Sequence, residues 1–287
     1  MVIFIMNNVL DFIGNTPLVR LKNIEDKYKL NNKLYAKLEM FNPSGSIKIR
    51  PASYIINEGI RLGYILNDTK IIEATSGNFG IALALVCGVY NLDLEIYMPN
   101  NTNDERIKLI KQYGGNVHLI DGNMKKCQEI VNEFKNKKNC FIPNQFENVL
   151  NPYSYYLTLA KELDNKLEKI DYLVCGIGSG GTIMGCANYL KKTKMIGVLP
   201  KNDHHKIIGI GAGFKPGILD YNLIKEIIKI DDSEINLYHN DLIKEGLFVG
   251  LSSKAALAGA INIARKENNK NIVVIFPDGG ERYLSMI

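Results

Sequence analysis

The stretch Asp171-Tyr-Leu-Val-Cys-Gly-Ile-Gly-Ser-Gly-Gly-Thr182 joins an apolar run to a glycine-rich loop that opens a helical pattern. A short apolar run bounded by glycines is typical of a strand buried in a parallel sheet. Glycines let backbone N–H groups approach an anion, and the start of the helix adds partial positive charge. The stretch therefore predicts a phosphate-binding turn. A glycine turn that merely lets the helix pack on the strand is the alternative.

Three glycines of this loop, Gly176, Gly178 and Gly181, also have the spacing of a dinucleotide-binding fold. That fold requires an acidic residue about 20 positions further on, where it holds the ribose. The corresponding stretch, residues 195–201, contains no acidic residue. The sequence therefore disfavours a dinucleotide and favours a ligand with one phosphate.

Similar strand–loop–helix units recur on both sides of this stretch. The predicted strand and helix pairs are 70–74 with 79–90, 94–97 with 103–113, 117–120 with 124–134, and 172–175 with 181–191, and a last helix at 252–266 precedes a strand at 272–276. Short apolar strands alternating with helices predict mostly parallel sheets that helices cover on both faces, in three α/β/α layers.

Proline and asparagine collect in residues 140–152, which indicates a domain boundary. We expect two α/β domains: a smaller one at 41–144, and a larger one formed by 1–40 and 145–287, which carries the phosphate loop. Functional loops are expected at the carboxyl ends of the strands, in a cleft between the domains.

The overall composition excludes several classes of protein. The chain has 287 residues, 46% hydrophobic and 23% charged, with a net charge of +5, so it is neither disordered nor fibrous. Its basic residues are scattered, which argues against nucleic-acid binding. No apolar run reaches spanning length, and Met1–Met6 lacks a basic leader, so we expect a cytoplasmic protein without a membrane segment.

The potential metal ligands are dispersed. The five cysteines form no CxxC pair, and the four histidines include only one adjacent pair, in a polar loop. We therefore expect free, buried thiols in a reducing compartment and no protein-bound metal.

A lysine stands at a second conspicuous turn, in the stretch Phe41-Asn-Pro-Ser-Gly-Ser-Ile-Lys-Ile-Arg-Pro-Ala52. The turn-forming residues before Lys48 force the chain to change direction there. Pro51 conflicts with a helix already under way at Ser46, so the helix begins near Arg50 or is kinked. A buried lysine at such a turn has a lowered pKa and can react with a carbonyl group. A solvated surface lysine is the alternative.

Polar loops also follow other apolar segments. Glu73-Ala-Thr-Ser-Gly-Asn78 follows a buried strand and precedes a helix, which is typical of a carboxylate-binding loop, with capping by Ser76 as the alternative. Gly250-Leu-Ser-Ser-Lys254 opens the last long helix, again with capping as the alternative, and Pro277-Asp-Gly-Gly-Glu281 closes the final strand. The convergence of these loops on one lysine favours a cofactor site over chance capping.

In order and spacing, these stretches resemble the cysteine synthase family, the O-acetylserine sulfhydrylases and their cystathionine β-synthase relatives, which are pyridoxal-phosphate enzymes of fold type II. The resemblance runs through almost the whole chain. The stretches that carry it are Ile13-Gly-Asn-Thr-Pro-Leu-Val-Arg-Leu21, the Lys48 stretch, Thr75-Ser-Gly-Asn78, Gly178-Ser-Gly-Gly-Thr182, Gly209-Ile-Gly-Ala-Gly-Phe214 and Pro277-Asp-Gly-Gly-Glu-Arg-Tyr283.

The resemblance implies a role for each loop toward pyridoxal 5'-phosphate. Lys48 would form the Schiff base, Asn78 would bond the ring hydroxyl and Ser252 would face the pyridine nitrogen. The cofactor phosphate would be held by Gly178, Ser179, Gly180, Gly181 and Thr182. The substrate would be bound by Thr75, Ser76, Gly77, Gln145 and Gly211, the last in a loop that closes over the substrate amine.

The chain departs from the family pattern at several positions. Ile49 replaces an aspartate, Phe79 replaces a threonine and Lys254 replaces a glycine. We expect Phe79 to remove a hydroxyl from the carboxylate site and to add bulk to the pocket. Cofactor chemistry is therefore expected to be retained, with substrate identity left open.

The activity implied by the resemblance is β-replacement through an aminoacrylate, with O-acetylserine and sulfide giving cysteine and acetate. A cysteine-consuming enzyme that releases hydrogen sulfide, or a diaminopropionate-type synthase with an amine nucleophile, are alternatives within the class. A weakly active regulatory paralogue that binds the cofactor is the alternative outside it. The family also implies a homodimer, and in some members a complex with the C-terminus of serine acetyltransferase.

Overall fold

Helices and parallel strands alternate through the computed structural model, which describes residues 7–286. Met1–Met6 and the expectation attached to them lie outside the described residues. The strands are β1 (Leu18–Arg20), β2 (Lys33–Leu38), β3 (Lys70–Ala74), β4 (Leu94–Pro99), β5 (Asn116–Ile120), β6 (Cys140–Phe141), β7 (Tyr172–Gly176), β8 (Lys194–Pro200), β9 (Glu226–Ile230) and β10 (Asn271–Phe276). The α-helices are α1 (Lys22–Lys27), α2 (Ile49–Arg61), α3 (Asn78–Tyr90), α4 (Asp104–Gln112), α5 (Met124–Asn132), α6 (Leu150–Leu157), α7 (Leu159–Lys166), α8 (Gly181–Tyr189), α9 (His239–Lys244) and α10 (Leu251–Lys266).

These elements form two units, which we call unit 1 (Met1–Ile13 and Lys48–Asn151) and unit 2 (Gly14–Ile47 and Pro152–Ile287). Among the described residues, the units and the predicted domains assign 14–40, 48–144 and 152–286 alike, and they differ at 7–13, 41–47 and 145–151. The predicted domain division itself stays a prediction.

Unit 1 contains a four-stranded parallel sheet in the order β5-β4-β3-β6. Successive residues of a strand point to opposite faces. Ile71 accordingly packs in a cluster with α2, α3 and α4, whereas Ile72 packs on the other face with α5. The sheet is therefore the middle of three layers.

Unit 2 contains a six-stranded sheet in the order β1-β2-β10-β7-β8-β9, in which only β1 is antiparallel to its neighbour. Ile272 and Val274 of the central strand pack with α1, α9 and α10 on one face. Val273 and Ile275 pack with α7 and α8 on the other. Unit 2 also has three layers, and the predicted fold class is confirmed.

Each strand and helix predicted around the loops is found within two residues of its predicted bounds. Pro51 lies in the first turn of α2, where its missing N–H has no helical partner to lose, so the helix begins at Ile49 and continues through the proline. The shorter helices α1, α6, α7 and α9 and the edge strand β9 were not predicted.

Among residues 7–286, no helix is both long and apolar enough to cross a membrane. The same part of the chain brings together no group of three or more His, Cys, Asp or Glu side chains that would hold a metal ion. The five cysteines are free thiols, four of them buried and Cys140 half-buried.

Candidate active site

Lys48 stands at the start of α2 in unit 1, with helical backbone angles of φ −71° and ψ −15°. Its Nζ donates a hydrogen bond to Oε1 of Gln145 over 3.3 Å. Burial lowers the pKa of Lys48 from 10.5 to about 8, and the negative charge of Glu73 opposes that shift. Desolvation disfavours the ammonium form, so a neutral, nucleophilic amine is accessible near neutral pH.

Glu73 is a buried carboxylate near the end of β3, with 3% of its surface exposed. Its Oε2 accepts the backbone N–H of Asn144 over 2.7 Å. Burial raises the pKa of Glu73 to about 8, while the N–H groups of Asn144 and Ala74 and the charge of Lys48 oppose the rise. The sequence reasoning gave Glu73 no role. The available signal was a carboxylate at the end of an otherwise apolar strand.

Thr75 follows β3 directly and continues its pairing, since its N–H donates to the carbonyl of Tyr97. Its Oγ1 accepts the N–H of Gly77 over 3.4 Å and Nε2 of Gln145 over 3.5 Å. Gln145 therefore links the lysine to the threonine, and the structure brings these three predicted residues together.

The remaining residues of this loop lead into α3. Gly77 is the N-cap of α3, no side chain caps the helix, and Asn78 is its first residue. The alternative in which Ser76 serves as the N-cap is therefore wrong, because the helix begins one residue later than that role requires. Ser76, Gly77 and Asn78 are half-buried at the start of the helix.

The glycine loop of unit 2 runs from the end of β7 into α8. A Cβ atom on Gly178 would lie 2.5 Å from the carbonyl oxygen of Gly209, and one on Gly176 would lie 2.3 Å from Cγ2 of Ile210. Gly180 caps α8 in the left-handed region at φ +87°. Glycine is required at these positions, because the chain approaches a second loop closely and turns sharply. The N-terminus of α8 adds partial positive charge next to this loop, which would stabilise an anion there.

That second loop contains Gly209 and Gly211, and it packs between the glycine loop and Ser252. The N–H of Gly211 donates to the carbonyl of Ile177 over 2.9 Å. A Cβ on Gly209 would lie 3.8 Å from Oγ of Ser252. Ser252 is in the first turn of α10 and only 3% exposed, and the helix has no side-chain cap. Unit 2 thus brings together the glycine loop predicted to bind phosphate, the loop of Gly211, and Ser252.

Two of the departures from the family pattern pack in the core of unit 1. Phe79 is 1% exposed and Ile49 fully buried, and both belong to the cluster around α2 and α3. The expectation that Phe79 adds bulk to the pocket is wrong, because α3 is apolar all round and turns this ring toward the core. Position 79 nevertheless lacks the hydroxyl of the threonine that the family pattern has there.

Lys254 is the third departure, and it lies in unit 2. It is 3% exposed, and its Nζ donates to Oδ1 of Asn236 over 3.1 Å. Burial lowers the pKa of Lys254, in the first turn of α10, where the helix dipole also disfavours a positive charge.

The sequence and the fold match known proteins along nearly their full lengths. The model of the family "Pyridoxal-phosphate dependent enzyme" matches residues 9–278. A cysteine synthase of Buchnera aphidicola is 41% identical over 306 aligned positions, covering 95% of this chain and 92% of the relative.

Two solved structures are similarly close. A hydrogen sulfide-producing enzyme from Fusobacterium nucleatum superimposes with a TM-score of 0.92 and 39% identity, over 98% of this chain and 100% of the other. An O-acetylserine dependent cystathionine β-synthase from Helicobacter pylori superimposes with a TM-score of 0.89 and 37% identity, over 99% and 98% of the two chains.

Proposed function

The chain belongs to the family of pyridoxal-phosphate dependent enzymes, and from this premise we propose that it catalyses β-replacement on O-acetylserine, with sulfide as the nucleophile and cysteine and acetate as products. The relatives named cysteine synthase support the reaction class, which is chemistry at the β-carbon of an amino acid. The single observation that carries the proposal is the half-buried Lys48, whose pKa is lowered to about 8 and whose amine bonds Gln145, which in turn bonds Thr75.

The residues of this chain fit pyridoxal phosphate. Lys48 offers a desolvated amine, as a lysine that bonds to the cofactor carbonyl requires. The loop from Gly178 to Thr182 offers a phosphate site without side chains in the way, closed against Gly209 so tightly that a Cβ on Gly178 would not fit. In unit 2, Ser252 lies next to Gly209 with a buried hydroxyl, which suits a hydrogen bond to a ring nitrogen.

When bound, the cofactor supplies a carbonyl carbon for amines and an electron sink for the substrate α-carbon. Lys48 is suited to take the α-proton at Nζ, because its neutral form is populated near neutral pH. A neutral hydroxyl at Ser252, unlike the carboxylate of an aspartate, would not hold a proton on the ring nitrogen of the bound cofactor; the electron sink would then be weaker, which would favour prompt loss of a β-leaving group. We assign the ring hydroxyl to Asn78.

The substrate carboxylate is assigned to the start of α3. Thr75, Ser76 and Gly77 present hydroxyl and backbone N–H groups there, and the helix adds partial positive charge. Gln145 lies within hydrogen-bonding distance of both Thr75 and Lys48, where it can orient the same carboxylate. In unit 2, the loop of Gly211 borders a pocket of about 210 Å³ beside Gly178, and we assign that loop to the substrate amine.

A cysteine-consuming reaction that releases hydrogen sulfide is the second candidate, and the likeness to the Fusobacterium enzyme favours it. A diaminopropionate-type synthase and a weakly active regulatory paralogue are the further alternatives. We also propose a cytoplasmic homodimer. A complex with the serine acetyltransferase C-terminus would use the carboxylate loop at Thr75.

Absorbance and product assays of the purified protein test these proposals. We expect visible absorbance from lysine-bound cofactor that survives dialysis and is lost in Lys48→Ala. O-acetylserine with sulfide should yield cysteine, and cysteine alone should release little sulfide. Faster sulfide release from cysteine than cysteine synthesis would favour the second candidate. A protein that retains cofactor but changes none of O-acetylserine, serine, cysteine or O-phosphoserine would be a binding paralogue.

A further inference from the structure

Two neighbouring parallel strands of unit 1 bring Glu73 beside the turn that precedes Gln145. β3 and β6 pair in parallel, with Ile71 opposite Phe141, so the carboxyl ends of both strands lie at the same edge of the sheet. Glu73 is two residues beyond Ile71 and on the same face. Asn144 is three residues beyond Phe141. The topology therefore places the carboxylate next to the turn that begins at Asn144.

The turn is closed by bonds within it, to the carbonyl of Asn144, and two further bonds hold the backbone around Gln145. Asn144 is in the left-handed region at φ +49°, and its N–H donates to Oε2 of Glu73 over 2.7 Å. The carbonyl of Gln145 accepts Nδ2 of Asn151 over 2.6 Å. The first of these bonds fixes the residue just before Gln145, and the second fixes its own backbone.

The Gln145 side chain leaves this turn toward the two groups with assigned chemistry. Its Oε1 accepts from Lys48 over 3.3 Å and its Nε2 donates to Thr75 over 3.5 Å. Both distances are at the long end for hydrogen bonds, so a small displacement of the backbone would break them. The bond from Asn144 to Glu73 anchors this left-handed residue to β3, outside the turn, in a backbone region that costs energy for a residue other than glycine.

We propose that Glu73 is a positioning residue which, through the N–H of Asn144, holds Gln145 against Lys48 and Thr75. It does not touch the substrate. Its buried carboxylate replaces the water that an exposed turn would use to satisfy the Asn144 N–H, and it fixes the direction of that bond. The inference rests on the proposed function only in giving Gln145 a role toward the substrate.

Two substitutions of Glu73 separate this role from a general contribution to folding. Glu73→Gln keeps an amide oxygen that accepts the Asn144 N–H, whereas Glu73→Ala removes the acceptor. A positioning role predicts that Glu73→Gln stays close to the wild-type protein in every readout of Gln145. Glu95→Ala in β4 is a matched control, since Glu95 bonds Asn116 and His118 at the far side of the same sheet.

The first readout is the Gln145 side chain itself, in the holoenzyme. The chain contains three glutamines, so glutamine-selective ¹⁵N labelling gives three side-chain amide signals, and Gln145→Ala identifies the relevant one. We expect that signal to shift or broaden in Glu73→Ala and to keep its place in Glu73→Gln and Glu95→Ala. Hydrogen exchange at the Asn144 amide should accelerate about tenfold in Glu73→Ala, which corresponds to a lost bond of about 1.4 kcal/mol.

The second readout is steady-state kinetics with the amino-acid substrate. If Glu73 acts through Gln145, then Glu73→Ala and Gln145→Ala each raise KM, and the double variant is no worse than Gln145→Ala alone. An unchanged Gln145 signal in a folded Glu73→Ala protein, or effects of the two substitutions that multiply, would overturn the proposal. If the protein turns over no O-acetylserine, the proposed function fails, and the labelling experiment still decides the role of Glu73.

Discussion

Loops at the ends of buried parallel strands carry the candidate chemistry in both units, but they are built differently. In unit 1, the site uses side chains: Gln145 bonds both Thr75 and Lys48, and Glu73 accepts the backbone N–H of the residue before Gln145. In unit 2, the loop after β7 uses backbone, and a Cβ at Gly178 has no room. Side chains can hold and move protons, whereas glycine loops can only present fixed N–H groups. The first loop should therefore respond to changes of charge and the second to changes of volume.

The largest difference is expected in the reactivity of Lys48. At pH 7.5, a pKa of about 8 leaves about 250 times more neutral amine than a pKa of 10.5 would. In protein stripped of cofactor, the rate of amine labelling at Lys48 should rise with pH and level off above about 8. Only the neutral amine reacts, and above that pH most of the Lys48 amine is already neutral. Mass spectrometry of the labelled peptide measures the rate.

Glu73→Gln sharpens this test, because it removes the negative charge that raises the pKa of Lys48. The midpoint of the curve of Lys48 labelling rate against pH should therefore move to lower pH. Exposed lysines such as Lys191 report the intrinsic pH dependence of the reagent in the same sample. A Lys48 midpoint near 10.5 would contradict the assignment of a desolvated amine.

Volume is the corresponding test of the unit 2 loop. Gly178→Ala places a methyl group against the Gly209 carbonyl, so the glycine loop must shift, and misplacement by about 1 Å can cost about 100-fold in rate. We expect a loss of that size in turnover, together with weaker binding when cofactor is titrated into stripped protein. Gly77→Ala is the matched change in the unit 1 loop, where no atom lies within 4 Å of the new Cβ and φ is extended. The thermal stability of Gly77→Ala should stay near that of the wild type, whereas that of Gly178→Ala should fall. Equal losses of thermal stability in the two variants would contradict the comparison.

A smaller effect is expected at Ser252. Ser252→Ala removes one hydroxyl, and a single hydrogen bond of about 1 kcal/mol corresponds to about fivefold in turnover. Ser253→Ala, next to it, removes a hydroxyl that donates to the backbone of Asp278, so it should change stability and leave the cofactor absorbance spectrum unaltered. A spectrum and turnover unaffected by Ser252→Ala would remove the role assigned to this serine.

The smallest effect concerns Lys254, which burial and the helix dipole both disfavour as a cation. Lys254→Met should raise the free energy of unfolding by about 0.5–1 kcal/mol in urea titrations at pH 7. Because the pKa of Lys254 is lowered in the folded state, the unfolded chain binds more protons and the wild-type protein gains stability as pH rises. The advantage of the variant should therefore shrink toward pH 10.

Lys266→Met is the control at the other end of α10, where a positive charge is favourable and pairs with Glu226. It should lose a few tenths of a kcal/mol at most. A Lys254→Met protein less stable than wild type would mean that the hydrogen bond to Asn236 outweighs the cost of burying the amine.

The sequence predicted the strands and helices that flank the loops, because buried parallel strands read as continuous apolar runs and glycine or serine clusters mark their ends. The prediction that Phe79 faces the pocket was wrong, because α3 is apolar on every side and its sequence has no polar periodicity that would identify the face packed against the core. The sequence reasoning also missed Glu73, whose partner Asn144 is 71 residues away. Such long-range hydrogen bonds leave no local pattern, and the pairing appears only once β3 and β6 lie side by side.

The pairing of β2 with β10 has a consequence for how the chain acquires its structure. These neighbouring strands lie near opposite ends of the sequence. Lys270, which precedes β10, donates its N–H to Asn32, which precedes β2, across 238 residues of sequence. During synthesis, the sheet of unit 1 has all its strands by residue 141, whereas β2 must wait for β10, with one edge unpaired until then. Unit 1 is thus free to form on the ribosome first, and the edges of β2 and β7 that await β10 are where the nascent chain is open to aggregation and to chaperone binding.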